Sequence, residues 1–266
     1  MYAKKSLGQH FLRSTKALSQ IVNAANLCAT DTVLEIGPGE GVLTERLLAV
    51  AGKVIAIEKD RDLIPVLQER FATDIAEGRL ILIQEDILTY NPQDLPSQNY
   101  KLVANIPYYI TGAIIEQFLS TAHQPTLMVL LMQKEVADRI VAKDKKGSVL
   151  SIAIAAYGKA SIVDKVPPGA FAPAPTVDSA ILLLEGITRD FFIQISTEDG
   201  CDEQLFFSVL KSLFGKKRKQ LGGSLSEYLH DRARALSILE TAGIDPKTRP
   251  EELSLQLWKK LVQTIR

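Results

Sequence analysis

The sequence predicts an α/β protein: a mostly parallel sheet that finishes in antiparallel strands, followed by a small all-helical C-terminal domain. Three observations predict it. Short β-rich runs alternate with helix-like stretches over the first half of the chain, three apolar runs then follow without long helical patterns between them, and beyond about residue 190 only helical patterns remain.

Taken in order, "ALSQIVNAA" has helical spacing and precedes the first strand. Then "TVLEIG", "KVIAIE", "RLILIQED", "KLVANI" and "TLMVLLMQ" read as strands, and "GVLTERLLAV", "RDLIPVLQERFA", "GAIIEQFLS" and "KEVADRIVA" as the helices between and after them. Near-continuous apolar strands of this kind belong to a sheet covered on both faces. The runs "VLSIAIAAYG", "ASIVDKV" and "DSAILLLEG" are expected to complete the sheet as antiparallel strands. "EQLFFSVLKSLFG", "SLSEYLHDRARALSILETAG" and "EELSLQLWKKLVQTI" are expected helices. In "GIDPKTRPEEL", Asp245 and Pro246 turn the chain and Pro250 stands near the first turn of the last helix. The expected domains are 1–189 and 190–266.

At 266 residues, with 46% hydrophobic and 23% charged residues, the chain has the composition of a folded globular protein rather than a disordered or fibrous one. Cys28 and Cys201 are its only cysteines, and their spacing suggests neither a disulfide framework nor a zinc site. The start "MYAKKSLGQHFLRS" lacks the apolar core of a secretory signal, and no run approaches the ~20 apolar residues of a membrane span. A cytosolic protein without membrane or metal is expected, with a monomer as the default. Net charge is zero, but the charges are unevenly placed. Lys4, Lys5, Arg13 and Lys16 precede the first acid, Asp31, and Lys211, Lys216, Lys217, Arg218 and Lys219 lie between Glu203 and Glu227 with no acid among them. Such a run is often only a solvated helix face, yet two basic segments can bind phosphate while acids elsewhere cancel the total.

"VLEIGPGEGVLT" places Gly37, Gly39 and Gly41 between the first strand and its helix, where backbone can approach a ligand closely. The spacing is G-x-G-x-G, and Val42 stands where the dinucleotide fingerprint has its third glycine, which disfavours a nicotinamide or flavin dinucleotide. Glu35 would repel a pyrophosphate but attract a cationic ligand, and S-adenosyl-L-methionine carries both an ammonium and a sulfonium. Glu58 ends the second strand, where an acid can accept ribose hydroxyls. Asp86 ends the third and can take an adenine amine. One acid at a strand end is ordinary; three on successive strands at the ligand-binding edge point to a site.

"NIPY" ends the fourth strand beside that edge. The exocyclic amine of adenine is a poor nucleophile because its lone pair is delocalised into the ring. The Asn105 side-chain oxygen and the Ile106 or Pro107 carbonyl are candidate acceptors for its hydrogens, favouring the geometry in which the lone pair is free. Tyr108 can stack on the base. Attack on a sulfonium methyl then needs positioning more than a strong base.

"KKSLGQHFL", "VLEIGPGEGVLT", "AIEKD", "QEDIL", "NIPYYIT", "FAPAPTVDSAI" and "LFGKKRKQL" occur in this order along one chain. Together they resemble the ribosomal small-subunit adenine dimethyltransferases, the KsgA (RsmA) family, from about Lys4 to the last helix. The resemblance implies a Rossmann-like class I methyltransferase domain with a basic N-terminal lid and a helical rRNA-binding domain. It implies transfer of methyl groups from S-adenosylmethionine to N6 of two adjacent adenosines in the 3′-terminal hairpin loop of 16S rRNA in the 30S subunit, four methylations in all, and a role in subunit biogenesis. Residue by residue, it implies that His10 and Leu12 cover the cofactor with Gln9 close by, that Gly37 and Gly39 line its methionine side, and that Glu58 and Asp86 hold ribose and adenine. Asn105 would touch both cofactor and target amine, Pro107 and Tyr108 would complete the turn, and Phe171 would face Tyr108 across the target base. Lys4, Lys5, Lys216, Lys217, Arg218 and Lys219 would contact rRNA phosphates. The chain departs from the common pattern at Tyr109, Thr111, Gly112 and Ala113, at "GSVLS", which lacks a tyrosine before its glycine, and at Lys217, where arginine is common. None of these removes a proposed catalytic group.

Two alternatives share the fold. A macrolide-resistance methyltransferase would modify one adenosine of 23S rRNA, and a non-catalytic RNA-binding assembly factor would keep the fold without the chemistry. "GPG", "FAPAPTVDSA" and "LFGKKRKQL" stand against the first, and the intact Glu58, Asp86 and "NIPY" against the second.

Overall fold

The computed structural model describes residues 4, 8–142, 146–195, 203–215 and 219–265. The chain divides into two compact units, residues 1–138 with 159–187, and residues 139–158 with 188–266.

In chain order the elements are β1 (Phe11–Leu12), α1 (Thr15–Ala24), β2 (Thr32–Ile36), α2 (Val42–Leu48), β3 (Lys53–Glu58), α3 (Ile64–Arg70), α4 (Ala72–Ala76), β4 (Leu80–Gln84), β5 (Lys101–Asn105), α5 (Thr111–Ser120), β6 (Leu127–Gln133), α6 (Lys134–Ile140), α7 (Val149–Tyr157), β7 (Lys159–Val166), β8 (Phe171–Ala172), β9 (Ser179–Glu185), α8 (Asp190–Ile195), α9 (Glu203–Phe214), α10 (Leu221–Leu229), α11 (Arg232–Ala242) and α12 (Leu255–Ile265).

The first unit is built on a seven-stranded sheet of order β4-β3-β2-β5-β6-β9-β7. The first five are parallel; β9 runs antiparallel to β6, and β7 antiparallel to β9. Chain order reverses between β2 and β5, and at such a switch point a crevice opens outside the carboxyl ends of the strands. The central strands are buried throughout, as in Val33, Leu34, Ile55, Leu102, Val103, Val129 and Leu130, because helices cover the sheet. A two-stranded ribbon, β1 with β8, ties the N-terminal segment to the connection between β7 and β9. Arg13 and Ser14 N–H groups extend the tie to the Ala170 carbonyl, at 2.7 and 3.2 Å, and the Ser14 hydroxyl then caps α1.

The second unit packs α7 to α12 around Phe206, Leu210, Leu213, Leu225, Leu239, Trp258 and Leu261, all fully buried. Its buried Glu203 accepts a hydrogen bond from Tyr157 and pairs with Arg189.

Three expectations need correction. "VLSIAIAAYG" is a helix, not a strand, and residues 139–158 group with the helical unit rather than with the sheet. A reciprocal capping box between Ser148 and Ser151 starts this helix, and apolar residues on all sides hide its helical period. "SLSEYLHDRARALSILETAG" is two helices, broken where His230 takes a left-handed conformation and Asp231 caps α11. Pro250 opens a separate short 3₁₀ turn, and α12 begins only at Leu255.

Gly41 joins β2 to α2 with φ +81°, and a Cβ there would stand 2.5 Å from the buried Phe71 ring. Gly37 shares the left-handed conformation, with φ +67°, but faces open space. Gly41→Ala should therefore lose about 2 kcal/mol or more in urea denaturation, and Gly37→Ala only about 1 kcal/mol, because both carry the left-handed strain but only the first adds a clash.

Candidate active site

The carboxyl ends of β2, β3, β4 and β5 border one pocket, closed on its remaining side by residues 8–12. Of the sequence-predicted residues, Gln9, His10, Leu12, Glu35, Gly37, Gly39, Glu58, Asp86, Asn105, Pro107 and Tyr108 all line it.

Glu35 sits at the base, opposite Ala56 of β3 and Val103 of β5, and is 1% exposed. Its Oε2 has no hydrogen-bond partner. Burial pushes its carboxyl up to about 8; the nearby Thr44 hydroxyl offsets a little of this without reaching a well-formed hydrogen bond, and the negative charge of Glu58 adds to it. A lone buried carboxylate is expensive unless something positive reaches it. Together with the open side of Gly37, this gives the pocket a place for a cationic group against backbone.

Glu58 is held differently. Oε1 accepts the Asp60 N–H at 2.8 Å and Oε2 the Gly39 N–H at 3.1 Å, so burial raises its pKa while the backbone donors restrain the shift. The glycine loop is thereby fastened to β3, and the Gly37 N–H adds a bond to the Ile57 carbonyl at 2.9 Å. Asp86 pairs with Lys59 at 2.7 Å and accepts the Leu88 N–H at 3.1 Å; the Lys59 bond, outweighing burial, holds its carboxyl below the usual range.

The turn after β5 is fixed by its own hydrogen bonds. Pro107, with φ −56°, precedes a 3₁₀ turn over Tyr108–Ile110, and its carbonyl is taken by the Ile110 N–H at 3.2 Å. Of the two carbonyls the sequence left open, Ile106 is the one that remains uncommitted among the described residues. Asn105 donates through Nδ2 to the His10 carbonyl at 3.1 Å, which leaves Oδ1 as the free end of the amide. Tyr108 bonds Ser179 at 2.7 Å and stacks on His10 with ring centroids 6.1 Å apart, while His10 Nδ1 meets the Pro173 carbonyl at 2.8 Å.

One expected residue stands elsewhere. Phe171 does not face Tyr108 across an open gap. Its ring is buried in the core, and its backbone pairs with Leu12; as the start of β8 it supports the strap, and Tyr108 has His10 as its ring neighbour instead. Lys4 pairs with Asp60 at 2.5 Å and with the exposed Asp62 at 2.6 Å. Lys219 pairs with Glu227, an exposed pair of a kind that exchanges readily for another anion. Lys5, Lys216, Lys217 and Arg218 lie outside the described residues. Gln9 lines the pocket, but its amide is engaged at both ends, by Asp60 and by the Lys4 N–H.

Sequence reasoning missed Asp60 and Lys59, and noted Tyr109 only as a departure just outside the motif. Tyr109 is 67% exposed at the pocket, next to Gly8. The only signal for Asp60 was its position two residues after Glu58, in "AIEKDRD". Among the described residues, no group of side chains could hold a metal ion and no helix is long and apolar enough to cross a membrane.

A sheet reversed at β2/β5, a glycine turn, acids at successive strand ends and an Asn-Ile-Pro-Tyr turn define a Rossmann-like class I methyltransferase. The model of the ribosomal RNA adenine dimethylase family matches residues 1–266, and the chain belongs to that family. It is 47% identical to a ribosomal RNA small subunit methyltransferase A of Dehalococcoides mccartyi, over 97% of this chain and 87% of the relative. Among solved structures, it resembles a dimethyladenosine transferase from Plasmodium falciparum, with TM-score 0.79 and 27% identity over 95% of this chain and 96% of that one. It also resembles the 23S rRNA methyltransferase ErmE, with TM-score 0.73 and 26% identity over 96% and 98%.

The Glu35 shift has a sign that can be checked. Its carboxyl stays protonated in the folded protein up to about 8, whereas in the unfolded chain it ionises near its ordinary value of 4.5. The folded state binds the extra proton, so Glu35 costs stability increasingly as pH rises between those values, with a slope of up to about 1.4 kcal/mol per pH unit. Glu35→Gln should gain on wild type in urea denaturation from pH 5 to pH 8, and parallel stability curves would contradict the assignment.

Proposed function

We propose that this rRNA adenine dimethyltransferase uses S-adenosyl-L-methionine to dimethylate N6 of two adjacent adenosines in the 3′-terminal hairpin loop of 16S rRNA, within the 30S subunit. The observation that carries the cofactor is the buried, partnerless Glu35 carboxylate beside a glycine whose open face would be filled by any side chain. Glu35 and Gly37 would hold the cationic methionine end, Glu58 the ribose and Asp86 the adenine. When bound, the cofactor supplies an electrophilic methyl group on a sulfonium.

The chain's own residues supply position and hydrogen-bond acceptors. Asn105 Oδ1 and the Ile106 carbonyl take the two hydrogens of the target amine and so free its lone pair from the ring, and Tyr108 stacks on the base. No strong base is required, because the methylated amine loses a proton readily to water. A second methylation needs one acceptor to give way to a methyl group, which the backbone carbonyl and the amide allow because neither is charged. Favouring the small-subunit target is the 47% identity to a small-subunit enzyme, against 26% to the 23S enzyme. The basic segment of residues 211–219 would contact rRNA phosphates, and occupation of immature subunits until methylation is complete would make the enzyme an assembly checkpoint.

The test incubates purified protein and labelled S-adenosylmethionine with unmethylated 30S and 50S particles and maps N6,N6-dimethyladenosine by mass spectrometry. Label at adjacent adenosines near the 16S 3′ end is expected. Label in 23S rRNA alone would move the target, and cofactor binding without transfer to either particle would favour the non-catalytic assembly factor. Asn105→Ala should reduce kcat by about a hundredfold or more while S-adenosylhomocysteine still binds, as expected for the loss of an acceptor used in the transition state.

A further inference from the structure

We infer that Asp60 is a positioning residue for Asn105, acting through Gln9 and the His10 carbonyl. The inference rests on the reading of Asn105 as the amide that meets the target amine.

Asp60 follows β3 and is 5% exposed, yet it is not among the residues lining the pocket. Its carboxylate is fully engaged. Oδ1 accepts from Lys4 Nζ at 2.5 Å and from the Asp62 N–H at 3.1 Å, and Oδ2 accepts from Gln9 Nε2 at 2.9 Å. Burial alone would raise its pKa, but the bonds from Lys4 and Gln9 outweigh it and hold the carboxyl below the usual range. Gln9 is clamped from its other end as well, since Oε1 takes the Lys4 backbone N–H at 2.8 Å.

The residue after Gln9 is His10, whose carbonyl accepts Asn105 Nδ2. A carboxamide can turn over and exchange its oxygen for its nitrogen. A carbonyl facing it accepts only from the NH₂ end, so the His10 oxygen selects the orientation that leaves Oδ1 as the free acceptor. Where that oxygen stands is decided on two sides. Downstream, the β1–β8 ribbon and the His10 Nδ1 contact with Pro173 fix the strap to the connection before β9. Upstream, Gln9 is held to the sheet edge by the carboxylate of Asp60, and Lys4 by Asp60 together with the exposed Asp62. An acid that touches neither cofactor nor base thereby governs the orientation of the amide that does.

The test uses the full-length protein as wild type, Asp60→Ala, Gln9→Ala, the double variant, and Asp62→Asn, whose carboxylate is exposed and binds only Lys4 among strap residues. Two quantities are read. The first is the side-chain amide resonance pair of Asn105 in the ligand-free protein, assigned by its loss in Asn105→Asp; it needs no cofactor and no methyl transfer. The second is kcat and KM for methylation of unmethylated 30S particles. Asp60→Ala and Gln9→Ala should each move the Asn105 pair towards free-amide positions and lower kcat by about tenfold with KM for the particle within about twofold, as for a misplaced transition-state acceptor. The double variant should be no worse than either single one, because both lie on one path. Asp62→Asn should change little.

Unmoved Asn105 resonances in Asp60→Ala, or losses of kcat that multiply in the double variant, would overturn the inference. Should Asp60→Ala not fold, Gln9→Ala decides by the same resonances. Absence of methyl transfer by the wild type would sink the proposed function, whereas the amide readout would still decide the role of Asp60.

Discussion

A carboxylate with no partner, buried at the carboxyl end of the first parallel strand, is the constraint around which the rest of this site is arranged. Glu35 is placed there by β2 and flanked in register by β3 and β5, and its Oε2 has no hydrogen-bond partner, the nearby Thr44 hydroxyl included. A folded protein tolerates such a group by leaving it protonated, at the expense of stability near neutral pH, or by bringing a cation to it. The reversal of strand order beside it opens the crevice through which a cation can come, and the glycine turn lets the ligand lie against backbone.

The two other acids of the site are managed by different means. Glu58 is satisfied by backbone N–H groups that cannot leave, and Asp86 by Lys59 on the neighbouring strand end. Three carboxylates on one edge would otherwise repel one another. Giving one a proton, one two backbone donors and one a lysine allows them to coexist, and each retains lone pairs with which to meet a ligand. Asp60 extends the pattern outward, from the sheet edge to the N-terminal strap.

Much of this was legible in the sequence. The parallel strands announce themselves as apolar runs between helical patterns, and the Glu35, Glu58 and Asp86 positions follow from where those runs end. The Asn-Ile-Pro-Tyr turn was legible because proline fixes its direction. α7 was not legible, since a helix apolar on every side has no period to read, and its reciprocal serine cap looks like an ordinary loop pair. Phe171 was misplaced because an aromatic in a proline-rich loop gives no sign of which side of the backbone its ring takes. Asp60, and the commitment of Lys4 and Gln9 to it, depend on contacts between residues more than fifty positions apart, which no local pattern records.

The central claim, that a cation completes Glu35, is tested most directly by calorimetry of S-adenosylhomocysteine binding at pH 7 in buffers of different ionisation enthalpy. The stable product retains the ammonium group, so binding should displace the Glu35 proton. Wild type is predicted to release about one proton per molecule bound, and Glu35→Gln about none. Equal proton release by the two proteins would contradict the account and leave the buried carboxylate without a purpose in binding.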